Sequence, residues 1–390
     1  MPSSSFISLA ERNISMKRTL QFAAVFVLGV LTSLPSFALP RFASRTGAKC
    51  LSCHINPSGG GMRQTFGVQY GRETLPVPTW SDELGLDDFS TRLTDFVSIG
   101  ADFRTLYFYQ QNPDTGVAPP PEKATNAFFQ MQGDIYMNFR LAKKVNIYLD
   151  KGLYSGFEIF GMLNILPANG FIKVGKFVPN YGTKTDDHRA YIRMYTGFSP
   201  EPPSPRPELT GAEVAFLPGP VSITGGIYNA AEGFGAGTGS DKAVLGRAEG
   251  IFKASEDVHV GIGGNVFTKM NPAGQRTTLL GGFGSLSYDN LTILGEGDLI
   301  QNKSAGTKIT GLVTFVEVDY VLTPGLDLKV GYDFYDPDKD LKTGSMSKYT
   351  FGFEFFPVSG VEVRPLYRIV KDEPVDLKND EFQLLVHFYL

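Results

Sequence analysis

From Leu93 onward, large apolar residues recur at every second position. Over 129–141 the odd positions are Phe129, Met131, Gly133, Ile135, Met137, Phe139 and Leu141. The even positions are Gln130, Gln132, Asp134, Tyr136, Asn138 and Arg140. The pattern returns as Leu326, Leu328, Val330, Tyr332 and Phe334 between Asp327, Lys329, Gly331 and Asp333. It returns again as Tyr349, Phe351, Phe353 and Phe355, and as Val361, Val363, Tyr367 and Ile369. Side chains alternate between the two faces of a strand, so these runs predict strands with one apolar face and one charged face. They extend for about ten residues or more, beyond the five or six usual in a soluble sandwich and close to the 9–11 that cross a bilayer at a tilt. Lipid on one side and a wet lumen on the other accounts for both faces.

Short turn signals fall near 142–143, 167–169, 218–219, 255–256, 289–290, 323–324 and 358–359. Longer polar or Gly-rich links fall near 111–125, 231–240, 269–275, 301–307, 337–346 and 371–380. Short and long connections alternate around a bacterial outer-membrane barrel. The alternation survives only if residues 178–207 form one long outer loop, which then folds into the lumen as a constriction; a strand over Arg189 to Gly197 would break it. The expected fold is therefore all-β, an antiparallel transmembrane β-barrel of about sixteen strands over 92–390. Its last strand, Glu381 to Leu390, turns Phe382, Leu384, Val386, Phe388 and Leu390 outward and resembles the C-terminal assembly signal of such barrels.

The first ninety residues read differently. Met16-Lys17-Arg18, the apolar run Leu20 to Leu31 and Ser36-Phe37-Ala38 compose a secretion signal over 1–38. Residues 39–91 carry the only two cysteines of the chain, in Cys50-Leu51-Ser52-Cys53-His54. Cys-x-x-Cys-His is the attachment motif of c-type haem: both thiols add to one haem, and the adjacent histidine becomes its axial ligand. A redox Cys-x-x-Cys wants a thioredoxin-like βαβ context, and zinc wants about four ligands; neither is visible. A short-loop disulfide is the remaining alternative. The expectation is one covalently bound haem c, attached at Cys50 and Cys53, with His54 as proximal iron ligand. Met62, beyond the loop Asn56 to Gly61, is one candidate distal ligand, and His188 in the long loop is the other. About fifty residues cannot enclose a haem alone. The segment must lean on the barrel, at its periplasmic mouth or within its lumen.

Composition narrows the picture further. The 390 residues include 44 Gly, 31 Phe and 17 Tyr but 1 Trp, with 19% charged residues, which suits a barrel wall. A net charge of −4 gives no reason to expect a nucleic-acid partner. Arg140, Arg364, Arg368, Lys329 and Lys348 on the lumen face would favour anions, and Asp134, Asp150, Asp327, Asp333, Glu354 and Glu362 oppose them. No acid–base pair or nucleophile stands out, so electron transfer is favoured over a substrate-transforming enzyme.

Residues 170–182, Gly-Phe-Ile-Lys-Val-Gly-Lys-Phe-Val-Pro-Asn-Tyr-Gly, resemble the strand-and-loop motif of the phosphate-selective porin superfamily. A single haem motif ahead of such a barrel resembles the fused monohaem cytochrome–porins of iron-oxidising bacteria. That resemblance implies an outer-membrane protein carrying electrons across or at the membrane, with a periplasmic or extracellular redox partner and lipid around the wall. Porins of this size are often trimers, so a homo-oligomer is a further expectation. The alternative is an anion- or solute-transport porin with a haem-bearing periplasmic cap.

Overall fold

Alternation along each strand closes this chain on itself. Sixteen strands, from β1 (Val97–Gln110) to β16 (Glu381–Tyr389), each pair antiparallel with their sequence neighbours. β1 also pairs with β16, from Asp102↔Tyr389 to Gln110↔Glu381, so the sheet has no edge. Closure is what lets a sheet sit in lipid, where an unpaired backbone N–H or C=O finds no water. The computed structural model describes residues 41–84, 89–111, 125–152, 156–198, 208–230, 241–271 and 273–390. The predicted secretion signal and the Pro-rich run 200–207 lie outside them.

The two faces sort as hydropathy demands. Ile262, Phe351, Phe353, Tyr367 and Phe388 are exposed on the outside. Arg364, Arg368, Lys329, Lys348 and Glu354 are buried inside. One strand departs from the simple alternation. In β2 (Thr125–Ala142), Gln132 pairs with Arg104 and Gln130 with Thr105, which leaves Met131 as an extra residue. This bulge reverses the faces beyond it, because one added residue flips every side chain that follows. Phe129 therefore pairs with the fully buried Leu106 and shares its inward face, whereas unbroken alternation would have sent it outward.

Two-residue turns join strands at Lys143-Lys144, Asp289-Asn290 and Pro324-Gly325. The opposite end carries longer links, such as 337–345 and 373–380. The longer link expected near 301–307 is not formed. β11 (Leu291–Ser304) and β12 (Thr307–Thr323) run on into a two-residue turn at Ala305-Gly306, where both residues adopt positive φ.

Two segments occupy the lumen. The first is the chain ahead of β1: α1 (Arg41–Thr46), α2 (Cys50–Cys53), α3 (Thr65–Gln69), a π-helical turn at Tyr70–Thr74, and α4 (Pro78–Leu84). Its later part caps the short-turn end, where Val77 N–H donates to Phe356 O at 3.0 Å and Ser359 N–H to Ser81 Oγ at 3.0 Å. Its earlier part reaches inward. Ser44 Oγ bonds Ser285 Oγ at 3.0 Å, and Arg45 meets Asp327 at 2.6 Å. The second segment is 178–198, between β5 (Gly170–Phe177) and β6 (Leu209–Phe216). It holds no strand, only the helical turn α5 (Tyr191–Thr196), and it bonds to wall residues from Glu213 round to Glu381.

Candidate cofactor site in the lumen

α2 is a single helical turn, and it sets Cys50, Cys53 and His54 on one side of a lumen cavity of about 370 Å³. Both thiols are free, so the chain does not close the short disulfide in this state. Burial pushes the Cys50 thiol up to about 12 and also raises Cys53. A redox-active pair needs a stabilised thiolate, and these surroundings do the reverse.

His54 is positioned by its own loop. Its Nδ1 lies 3.2 Å from Gly61 O, and a carbonyl accepts only, so Nδ1 carries the proton and Nε2 keeps its lone pair. Burial, with Arg63 adding, pulls the ring down to about 4, so it is neutral at physiological pH. A neutral imidazole held by a backbone carbonyl is the usual form of a metal-ligating histidine. The loop returns through Ile55 N–H to Met62 O at 3.0 Å and a bridge between His54 and Arg63. Gly59, Gly60 and Gly61 all have positive φ, which makes so tight a return possible. A Cβ on Gly61 would lie 2.2 Å from Tyr148 Oη, whereas one on Gly60 would meet nothing within 4 Å.

The flanks tie this unit to the wall. Asn56 Nδ2 donates to Glu158 at 3.0 Å, and Met62 N–H donates to Tyr148 Oη at 3.2 Å. Arg63 pairs with Asp102 at 3.3 Å and lies over the Tyr389 ring at 4.5 Å, which fixes the segment to the seam where β1 meets β16. Arg41 pairs with Glu354 and Arg45 with Asp327, so the wall engages two of the three cations ahead of the motif. Lys49 remains on the cavity, pulled down to about 8 by burial.

His188 lines the same cavity from the inward loop. Its neighbours are clamped. Asp187 pairs with Arg368 at 2.8 Å, Arg189 with Glu381 at 2.6 Å, and Asp186 with Arg364. Burial works to raise Asp186 and Asp187, but these arginines outweigh it and hold both well below the usual carboxylate range. The two aspartates are therefore committed to arginines rather than set out to bind a cation. Met62 is brought elsewhere. Its side chain is fully buried over Gly100 in a cluster with Tyr136 and Tyr148, and it does not line the cavity.

Other lining residues were not legible as site residues. Met131 reaches the cavity through the bulge, and Arg104, Lys184 and Arg193 bring positive charge. Lys184 is lowered to about 7 by burial and by repulsion from Lys173. His387 also lines the cavity, but its Nδ1 meets Glu362 at 2.9 Å and its Nε2 meets Asp102 at 3.1 Å. Only barrel closure assembles these residues, and no sequence motif marks them.

The donor set suits a covalently held haem. Two free thiols and one neutral imidazole line the cavity together, and cations suited to carboxylate groups stand around the same space. When bound, such a group supplies a one-electron couple.

The fold has relatives among solved structures. An anion-selective porin from Comamonas acidovorans superposes with a TM-score of 0.57 at 11% identity, covering 75% of this chain and 99% of the porin. The DcaP channel of Acinetobacter baumannii gives 0.53 at 10% identity, covering 75% and 97%. OmpT of Vibrio cholerae, solved in a trimer form, gives 0.52 at 12% identity, covering 75% and 99%. This is the fold of an outer-membrane porin. No protein-family model and no curated relative matches the sequence. The share of this chain matched to each porin barrel equals the share lying between its first and last strands.

Proposed function

We propose that this porin barrel is an outer-membrane c-type cytochrome–porin fusion. One haem c is attached at Cys50 and Cys53, has His54 as proximal ligand, and carries electrons across or at the outer membrane. The observation behind this reading is that Cys50, Cys53 and His54 line a cavity inside the barrel wall, between the N-terminal segment and the inward loop. The hydrocarbon layer is about 30 Å of insulator, and a redox centre within the lumen shortens the gap that an electron must cross. One haem leaves part of the span uncovered, so the protein works with a periplasmic or extracellular electron-transfer partner. A homo-oligomer, as OmpT forms, fits the apolar outer wall.

The test is an absorption spectrum of the purified protein, oxidised and reduced, beside Cys50→Ala/Cys53→Ala. A haem that survives denaturation in the wild type and is lost in the variant supports the reading. A colourless wild type that still folds into a heat-modifiable barrel sinks it.

A second reading, an anion- or solute-transport porin with a haem-bearing cap, draws on Lys49, Arg104, Lys184 and Arg193 around the cavity. Against it, the wall cations Lys329, Lys348, Arg364 and Arg368 are each paired with carboxylates and leave little net field. Conductance in a planar bilayer separates the two. A wide, steady, anion-preferring pore favours transport, and a closed barrel favours electron transfer.

A further inference from the structure

We propose that α4 anchors the N-terminal segment to lipid, with Trp80 and Leu84 seated at the boundary of the periplasmic leaflet of the outer membrane. The outward column of β14 (Met346–Phe355) is Tyr349, Phe351, Phe353 and Phe355, and Glu354 between the last two is buried inside. Trp80 continues that column past the end of the strand. Its ring stands edge-on to Phe355, with centroids 5.7 Å apart and planes at 88°. From Tyr349 to Phe355 the strand runs about 20 Å. Tilt shortens that along the membrane normal, and the apolar band of such a barrel is about 25 Å tall, so a ring just beyond Phe355 falls near its border. Tryptophan suits that border, since its indole is apolar in body and carries one N–H to be met by water or a headgroup.

The helix is held with this side outward. Trp80 and Leu84 are four residues apart and so share one side of α4. Ser81 is buried against the rim, where its Oγ accepts the Ser359 N–H at 3.0 Å, and Val77 N–H donates to Phe356 O at 3.0 Å. Trp80 is left 48% exposed and Leu84 64% exposed. Leu328 on β13 (Leu326–Asp336) pairs with Phe353 and is exposed too, so the apolar surface runs unbroken from the lipid-facing wall to the helix. That continuity selects lipid as the occupant. A protein in the periplasm would reach Trp80 only by displacing the lipid that lies against Phe355. The segment carrying Cys50, Cys53 and His54 is thus pinned by the lumen wall at one end and by the bilayer at the other. The inference needs the outer-membrane barrel alone and stands whether or not haem is bound.

Trp80 is the only tryptophan of the chain, so its fluorescence reports on α4 alone. The test places the full-length protein in phosphatidylcholine vesicles whose acyl chains carry bromine either near the carbonyls or near the methyl ends. Emission is read as a ratio to unbrominated vesicles, which cancels any quenching by a bound cofactor. Shallow bromine should quench about twofold more than deep bromine, and iodide on both sides of the membrane should quench little. Trp80→Phe/Leu84→Trp, which moves the reporter one helical turn and keeps an aromatic ring on Phe355, should show the same preference for shallow bromine. Emission open to iodide and indifferent to bromine overturns the assignment. Stronger quenching by deep bromine also overturns it, because it puts the ring in mid-bilayer. Protection from iodide that develops only as the protein-to-lipid ratio rises means that a second copy covers the ring, and overturns it as well.

Discussion

The two segments inside the lumen are held by opposite means. The unit Cys50–Arg63 shapes itself: one helical turn, three glycines at positive φ, and a histidine bonded to the carbonyl of its own loop. Its wall contacts run through Asn56, Met62 and Arg63. The inward loop has little shape of its own and takes it from the wall. Gly182 N–H donates to Asn265, Tyr191 N–H to Asp333, and Asp186, Asp187 and Arg189 pair with Arg364, Arg368 and Glu381. The cavity between them is lined by one segment fixed locally and another fixed at long range, and the two should fail differently.

The sharpest break is Arg368→Ala. It leaves Asp187 buried without its partner, and removing one member of a buried pair costs about 3–5 kcal/mol. We expect the inward loop to become protease-sensitive and barrel conductance to rise, while haem attachment at α2 persists. Loss of attachment would mean that the two segments are one cooperative unit.

Gly61→Ala attacks the self-shaped segment. An alanine held at positive φ costs on the order of 1–3 kcal/mol, and its Cβ also meets Tyr148. Gly60→Ala has the same φ penalty with open space around it, so it should be the milder of the two. Recovery of the heat-modifiable folded form measures both, and equal yields would show that the Tyr148 contact relaxes freely.

Trp80→Ala removes a ring set edge-on to Phe355 at 5.7 Å, where α4 rests on the wall. An aromatic pair of this kind contributes about 0.5–1.5 kcal/mol beyond its buried area. Thermal unfolding should fall slightly, with the haem spectrum untouched.

Mild acid should do least. Asp186 and Asp187 are lowered in the folded protein, so their stabilisation is fully present above the unfolded carboxylate value of about 4 and is lost only as pH falls through the lower folded values. Loop protease resistance should therefore be flat from pH 7 to about 4 and decline only below that. A loop that loosens near pH 6 would show that the arginine clamps are not what holds it.

Much of the wall was legible because its rule is local. Period two needs only the next few residues, and Leu328, Val330, Phe351 and Phe353 face outward as their alternation says. The strand count followed from the parity of the turns. Met131 escaped that logic, since a bulge is a mismatch between two strands and leaves no mark in either alone. The link at Ala305-Gly306 escaped it too, because the polar stretch around it pairs as strand once its neighbour is in register.

The sequence by itself determined the two-faced strands, their number, and the Cys50, Cys53 and His54 cluster with its glycine return. Each is decided by residues within a few positions of one another. Tertiary structure alone decided which side chains share the cavity. His188 stands about 130 residues from His54, and Arg364 and Arg368 lie further still along the chain. Closing the sheet brings their faces to one axis, and the charges there then choose partners by distance in space.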